Sequence, residues 1–216
     1  MAKTVTAAEM KERERAANEA GLLYIQMMEN AGRAAYAELK RRVPALRRLL
    51  IVAGKGNNGG DGFVMARVAA KEGVQVRVLL AEGEPKTADA KTNLAWLAET
   101  AAEVVRDTEQ AAFGADAVVD ALYGTGFHGE LRPGGAAACA LIGRERERGA
   151  FVLALDLPSG VSADSGEVAE GAVQADATVT FDCTKPLHFA KASKPLCGAL
   201  VCADIGIGKA LGEHET

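Results

Sequence analysis

Apolar and polar positions change their period along the chain, and the changes mark out elements. Thr6-Ala7-Ala8-Glu9 has the Thr-x-x-Glu form of a capping box and predicts a helix over residues 7–20. After Gly21, the residues Leu22, Ile25, Met28, Gly32, Ala35 and Leu39 recur at steps of three and four, a stripe that predicts a second helix over 22–41. Leu49-Leu50-Ile51-Val52-Ala53 is apolar without a break, the pattern of a strand buried on both faces. Beyond it the pattern predicts helices at 63–70, 87–99 and 136–148, and strands at 74–80, 102–106, 115–119, 151–155, 178–183 and 199–203. Strands alternating with helices call for an α/β three-layer sandwich: a mostly parallel sheet, helices on both faces, and an N-terminal helical pair in front. No repeat or composition shift marks a boundary, so residues 1–216 are expected to form a single domain, with 208–216 a tail or the start of a linker.

Composition narrows the function classes. The hydrophobic share is 49% and the charged share 25%, ordinary for a globular chain. A net charge of -4 gives no electrostatic case for nucleic acid or an acidic membrane. No apolar run approaches the roughly 20 residues that span a bilayer, and the N-terminus turns charged too early for a signal-peptide core. Cys139, Cys183, Cys197 and Cys202 form no C-x-x-C pair and read as small buried thiols in a reducing cytoplasm.

The candidate chemistry collects where strands end. Gly54, Gly56 and Gly59 have the G-x-G-x-x-G spacing that lets backbone N–H groups approach a phosphate. Gly60-Asp61 stands where a P-loop requires Lys-Ser or Lys-Thr, which excludes an ATPase loop. Asn57, Asn58 and Asp61 offer oxygens suited to a hard cation or a ribose. A second cluster joins Asp120 to Gly124-Thr125-Gly126, and a third joins Asp156 to Ser159. If the first and fourth strands are neighbours, in a 3-2-1-4-5 order, all three clusters converge on one crevice. The glycine backbones over 56–62 and 124–129 can donate to a pyrophosphate. Asn58, Asp120 and Ser159 form an oxygen donor set with one carboxylate, which favours a monovalent cation. Asp156 is the candidate acid or base. His128, Glu82 and Lys185 are weaker candidates, each as readily an exposed loop residue, and Glu29 and Asn30 of the second helix are as readily solvent-facing.

These residues resemble the YjeF-type N-terminal domain, the NAD(P)H-hydrate epimerase family. The resemblance rests on Met28-Glu29-Asn30-Ala31-Gly32, Gly56-Asn57-Asn58-Gly59-Gly60-Asp61-Gly62, Asp120-Ala121-Leu122-Tyr123-Gly124-Thr125-Gly126, Asp156-Leu157-Pro158-Ser159-Gly160-Val161, and Thr178-Val179-Thr180-Phe181 with Lys185-Pro186. It implies a Rossmann-like fold and epimerisation of the S and R forms of hydrated NADH or NADPH. It implies substrate contacts from Asn57, Asn58, Gly59, Gly60, Asp61, Gly124, Thr125, Gly126, Phe127, His128, Gly129, Glu130 and Asp156. Potassium would sit on Asn58, Asp120 and Ser159. A homodimer is expected, with an ADP- or ATP-dependent dehydratase as functional partner. The hydrated carbon is a hemiaminal, whose configuration is lost by ring opening to an aldehyde or by departure of hydroxide, and Asp156 is the group expected to move the proton. The competing expectations are a non-catalytic nucleotide-binding or protein-interaction module and an ordinary NAD(P)-dependent dehydrogenase.

Overall fold

A computed structural model of the chain describes residues 3–213. Helix α1 (Ala7–Glu19) starts on the expected capping box: Thr6 Oγ1 accepts from the Glu9 N–H, and the Glu9 carboxylate accepts from the Thr6 N–H at 2.7 Å. Then follow α2 (Tyr24–Arg42), β1 (Arg48–Ala53), α3 (Asn57–Lys71), β2 (Gln75–Leu80), α4 (Ala88–Leu97), β3 (Glu103–Val105) and α5 (Thr108–Ala111). The second half holds β4 (Ala117–Ala121), α6 (Pro133–Glu147), β5 (Phe151–Leu155), β6 (Ala177–Phe181), β7 (Ala199–Ala203) and the single-turn α7 (Ile207–Ala210).

All seven strands pair in parallel in the order β3-β2-β1-β4-β5-β6-β7. The chain winds outward from β1 to β3, then returns to place β4 against the free side of β1. Ala53 pairs with Ala121 at the carboxyl ends, so the crevice opens between these two strands. Side chains of β1 alternate between two cores. Leu49 and Ile51 join Phe63, Met65 and Leu39 on the face covered by α2 and α3, while Leu50 and Val52 join Leu141 and Ile142 on the face covered by α6. Burial on both faces is why β1 is apolar at every position from Leu49 onward.

Several boundaries differ from the sequence expectation, each for a physical reason. Helix α3 starts at Asn57, not near 63, so the Asn-Asn-Gly-Gly-Asp run is its first turns rather than a loop. Asn and Gly are weak helix formers, but this helix is held by tertiary packing. Asp120 lies inside β4 rather than beyond it. Helix α6 starts at Pro133, whose fixed φ and missing N–H suit a first turn. The expected tail is ordered to Glu213, which accepts from both terminal nitrogens of Arg13 on α1 at 2.7 and 2.8 Å; residues 214–216 lie outside the described residues. The small-residue stripe of α2 is an internal seam. A Cβ on Gly32 would stand 2.5 Å from Val64 Cβ and 2.7 Å from the Asp61 carbonyl oxygen on α3.

Candidate active site

The first wall of the crevice is the start of α3. Gly56 is its N-cap in an extended conformation with no side-chain cap, so the first-turn N–H groups point to the opening. The approach is close at both ends of the turn. A Cβ on Gly54 would overlap the Leu122 carbonyl, and a Cβ on Gly59 would overlap the Gly54 carbonyl. Asn58 is buried and donates from Nδ2 to the Tyr123 carbonyl at 2.8 Å, tying the two strand ends together.

The second wall is β4 with the turn after β5. Asp120 and Ser159 are both fully buried. Asp120 accepts from Ser159 Oγ at 2.6 Å, from the Ser159 N–H at 2.7 Å and from the Leu122 N–H at 3.3 Å. Ser159 Oγ in turn accepts from the Tyr123 N–H at 3.0 Å. The backbone of Tyr123 therefore links Asn58 to Ser159, and the three expected cation ligands do meet. Burial pushes Asp120 up to about 6 against the pull of Ser159, and the carboxylate has no cationic partner among the described residues. Nor do three His, Cys, Asp or Glu side chains group to hold a metal there.

The floor carries the charge. Asp156 follows β5 at φ 64, and the Leu157 N–H bonds back to the Leu155 carbonyl at 2.8 Å, a γ-turn centred on Asp156. This left-handed conformation costs an L-residue about 1–2 kcal/mol, and Asp182 is the other non-glycine residue that adopts it among the described residues. One carboxylate oxygen, Oδ1, accepts from Lys185 Nζ at 2.6 Å and from Thr180 Oγ1 at 2.9 Å. The other, Oδ2, has no protein partner among the described residues. Lys185 is not the surface lysine that its loop position suggested. It is 1% exposed, with Nζ also reaching Thr180 Oγ1 at 2.9 Å and the Phe181 carbonyl at 3.4 Å.

Two more carboxyl groups face this pair. Asp61, half-buried on the second turn of α3, is driven well above the usual carboxylate range by burial first, then by the charges of Asp156 and Glu14, with Lys185 opposing. Glu14 of α1 is raised to about 7 by burial and by Asp156, again against Lys185. Nothing in the sequence singles out Glu14, which sits in a run of Lys, Glu and Arg that reads as a solvated face. His188, also unforeseen, is 2% exposed beneath Asp156.

The loop over 123–131 closes one side. Tyr123 stacks on Phe127 with ring centroids 5.0 Å apart, and its hydroxyl donates to Glu82 at 2.8 Å, so Glu82 anchors this loop rather than standing free. Beside it lies a groove of about 840 Å³, floored by Phe127 and Leu131 and edged by Glu130, Ser162, Glu167 and Glu170. Gly124 borders Asn58 and Thr125 is half-buried, whereas Asn57, Gly126, His128, Gly129 and Glu130 are exposed, and His128 makes no hydrogen bond to the Asp156 cluster among the described residues. The Met28-Glu29-Asn30-Ala31-Gly32 motif has a supporting part. Glu29 pairs with buried Arg67, Asn30 Nδ2 donates to the Ile205 carbonyl at 2.9 Å, and Met28 lies where a Cβ on Gly60 would clash.

Comparison with known proteins agrees with this fold. The model of the YjeF-related protein N-terminus matches residues 24–187. The NAD(P)H-hydrate epimerase of Pirellula staleyi is 40% identical over 90% of this chain and 88% of its own length. The bifunctional NAD(P)H-hydrate repair enzyme Nnr of Coxiella burnetii is 37% identical over 93% of this chain, which spans only 41% of that protein. The crystal structure of yeast YNL200c has the same fold, with a TM-score of 0.77 at 20% identity over 94% of this chain and 88% of that one. With the family model covering α2 through Leu187, the chain belongs to the family of YjeF-related protein N-terminal domains.

Proposed function

We propose that the chain is an isomerase that interconverts the S and R forms of hydrated NADH and NADPH, with Asp156 moving the proton. The reading is carried by one observation. Asp156 has one oxygen fixed by Lys185 and Thr180 and the other free, at the strand ends where α3 offers unpaired N–H groups. The dinucleotide pyrophosphate would lie on the first turn of α3 and the 124–130 loop. Asn57, Asn58, Gly59, Gly60, Asp61 and Gly124 to Glu130 are the proposed contacts, with His128 at the exposed rim.

Either route to racemisation needs a group to take a proton and a group to give one. In ring opening, a base takes the hydroxyl proton, the carbonyl forms, the carbon–nitrogen bond breaks and the ring nitrogen is protonated; closure on the other face of the aldehyde reverses each step. Asp156, ion-paired with Lys185, suits the base. Asp61, whose surroundings favour the neutral acid, suits the donor. Lys185 and Thr180 hold the base still, which is where positioning contributes most.

Asp120, Asn58 and Ser159 fit a monovalent cation: a buried carboxylate without a counter-charge, a serine hydroxyl and a carboxamide. Potassium would supply that charge and stiffen the junction of β1 and β4. An ADP- or ATP-dependent dehydratase is the functional partner in this reading, in keeping with relatives named bifunctional NAD(P)H-hydrate repair enzymes. Cytoplasmic location fits four unpaired cysteines and the lack, among the described residues, of a helix long and apolar enough to cross a membrane. A homodimer completes the reading, on the resemblance alone.

The test starts from purified R hydrate and follows both epimers by chromatography. A mixture forming far faster than in the blank is expected, more slowly when choline replaces potassium. A rate equal to the blank would leave a non-catalytic nucleotide-binding module.

A further inference from the structure

We propose that His188 is a positioning residue, its one imidazole fixing Asp156 and Lys185 in the geometry that leaves Asp156 Oδ2 free. The inference rests on Asp156 as the proton-handling group. His188 belongs to the short 3-10 turn Pro186–His188 and is 2% exposed. Its Nδ1 accepts from the Lys185 N–H at 2.9 Å, so Nδ1 carries no proton. Its Nε2 lies 3.0 Å from the Asp156 carbonyl oxygen, which can only accept, so Nε2 carries the proton and donates. The two bonds define a single neutral tautomer, and burial holds the imidazole below its ordinary range in the same sense.

Both bonds go to the backbones of residues whose side chains pair at 2.6 Å. The Asp156 bond also holds the peptide whose N–H closes the γ-turn, where φ is 64 and an alternative backbone conformation is readily available to a released residue. The comparable γ-turn at Asp182, φ 59, is pinned differently, by Arg13 at 2.8 Å on its carboxylate. Asp156 has its carboxylate engaged in the site, so its turn is held through the carbonyl instead.

Each amide substitute keeps one half of the bridge. His188→Gln can still donate near the Nε2 position, and His188→Asn can still accept near Nδ1. His188→Ala keeps neither. The measurement is kcat and KM for epimerisation, with Tm beside them. The expected result is a loss of about 10²-fold in kcat for His188→Ala and His188→Asn, less than threefold change in KM, and partial recovery of kcat in His188→Gln. A purely structural role would make kcat follow Tm across the three variants, and that pattern, or wild-type kcat in His188→Ala, overturns the proposal. Nitrogen-15 NMR of the wild-type imidazole keeps the test alive if a variant fails to fold: a proton on Nε2 and none on Nδ1 is required, and the reverse tautomer overturns it. Asp156→Asn is the control. Full activity there would remove the function assigned to Asp156, whatever the tautomer of His188.

Discussion

At the scale of single residues, the site is a set of charges whose surroundings push them apart. Asp156 is the side chain that makes the charge of fully buried Lys185 tolerable. Lys185→Met should lower kcat by about 10²-fold with KM little changed, because a half-buried carboxylate left without its partner no longer holds one orientation; unchanged kcat would make the pair ornamental. Glu14 predicts a dependence on pH. Its proton is held more tightly in the folded state, at about 7, than at the ordinary 4.5. The folded state therefore binds more protons across that window, and stability falls as pH rises through it. Glu14→Gln lacks this loss, so its Tm relative to wild type should be more favourable at pH 8 than at pH 5. A gap that is constant with pH would mean that Glu14 is as solvated as its neighbours. Asp156, Asp120 and Ser159 were legible in the sequence because each follows or ends a clear strand. Glu14 and His188 were not, since their partners are 142 and 32 positions away from them or lie across the fold, and nothing in a charged helix or a Lys-Pro turn marks which side chain faces inward.

At the scale of elements, glycine sets how closely α2, α3 and the sheet approach. Gly32 and Gly60 make α2, α3 and Met28 fit, and Gly62 lets α3 lie on Ala121 and Ile51. Gly32→Ala puts a methyl within 2.5 Å of Val64 Cβ and should destabilise the fold by about 1–3 kcal/mol, read as a lower Tm with kcat retained in the folded fraction. An unchanged Tm would show the seam to be loose. The strands were the most readable elements: 151–155 and 199–203 match β5 and β7 to the residue. The start of α3 was the least readable, since Asn and Gly suggest a loop wherever packing against β1 and β4 does not overrule them. The same overruling placed Asp120 within β4, where a lone carboxylate contradicts the apolar pattern of a central strand and marks the site instead.

At the scale of the whole molecule, the order of strands does the assembling. Placing β4 between β1 and β5 brings together residues 58, 120 and 159, while Thr180 of β6 and Lys185 of the turn after it meet Asp156 from its far side. The 3-2-1-4-5 order entered the sequence reading as a supposition, and the observed β3-β2-β1-β4-β5 agrees with it; the places of β6, β7 and α1 were not read, because no pattern says where an N-terminal helix docks. A cation at Asp120 would stabilise the native state by mass action. Potassium should raise Tm relative to choline at equal ionic strength, and Asp120→Asn should abolish the difference; an equal effect in both proteins would assign it to general salt. Exchange of the two hydrate epimers by Asp156 is read by mixing S and R NADPH hydrate with a dehydratase that consumes only the S form, then following NADPH absorbance with wild type, with Asp156→Asn and with neither. Wild type is expected to turn the slow R phase fast, while Asp156→Asn still binds the hydrate but leaves that phase slower by orders of magnitude. A slow phase unmoved by wild type, or moved equally by both proteins, would contradict it.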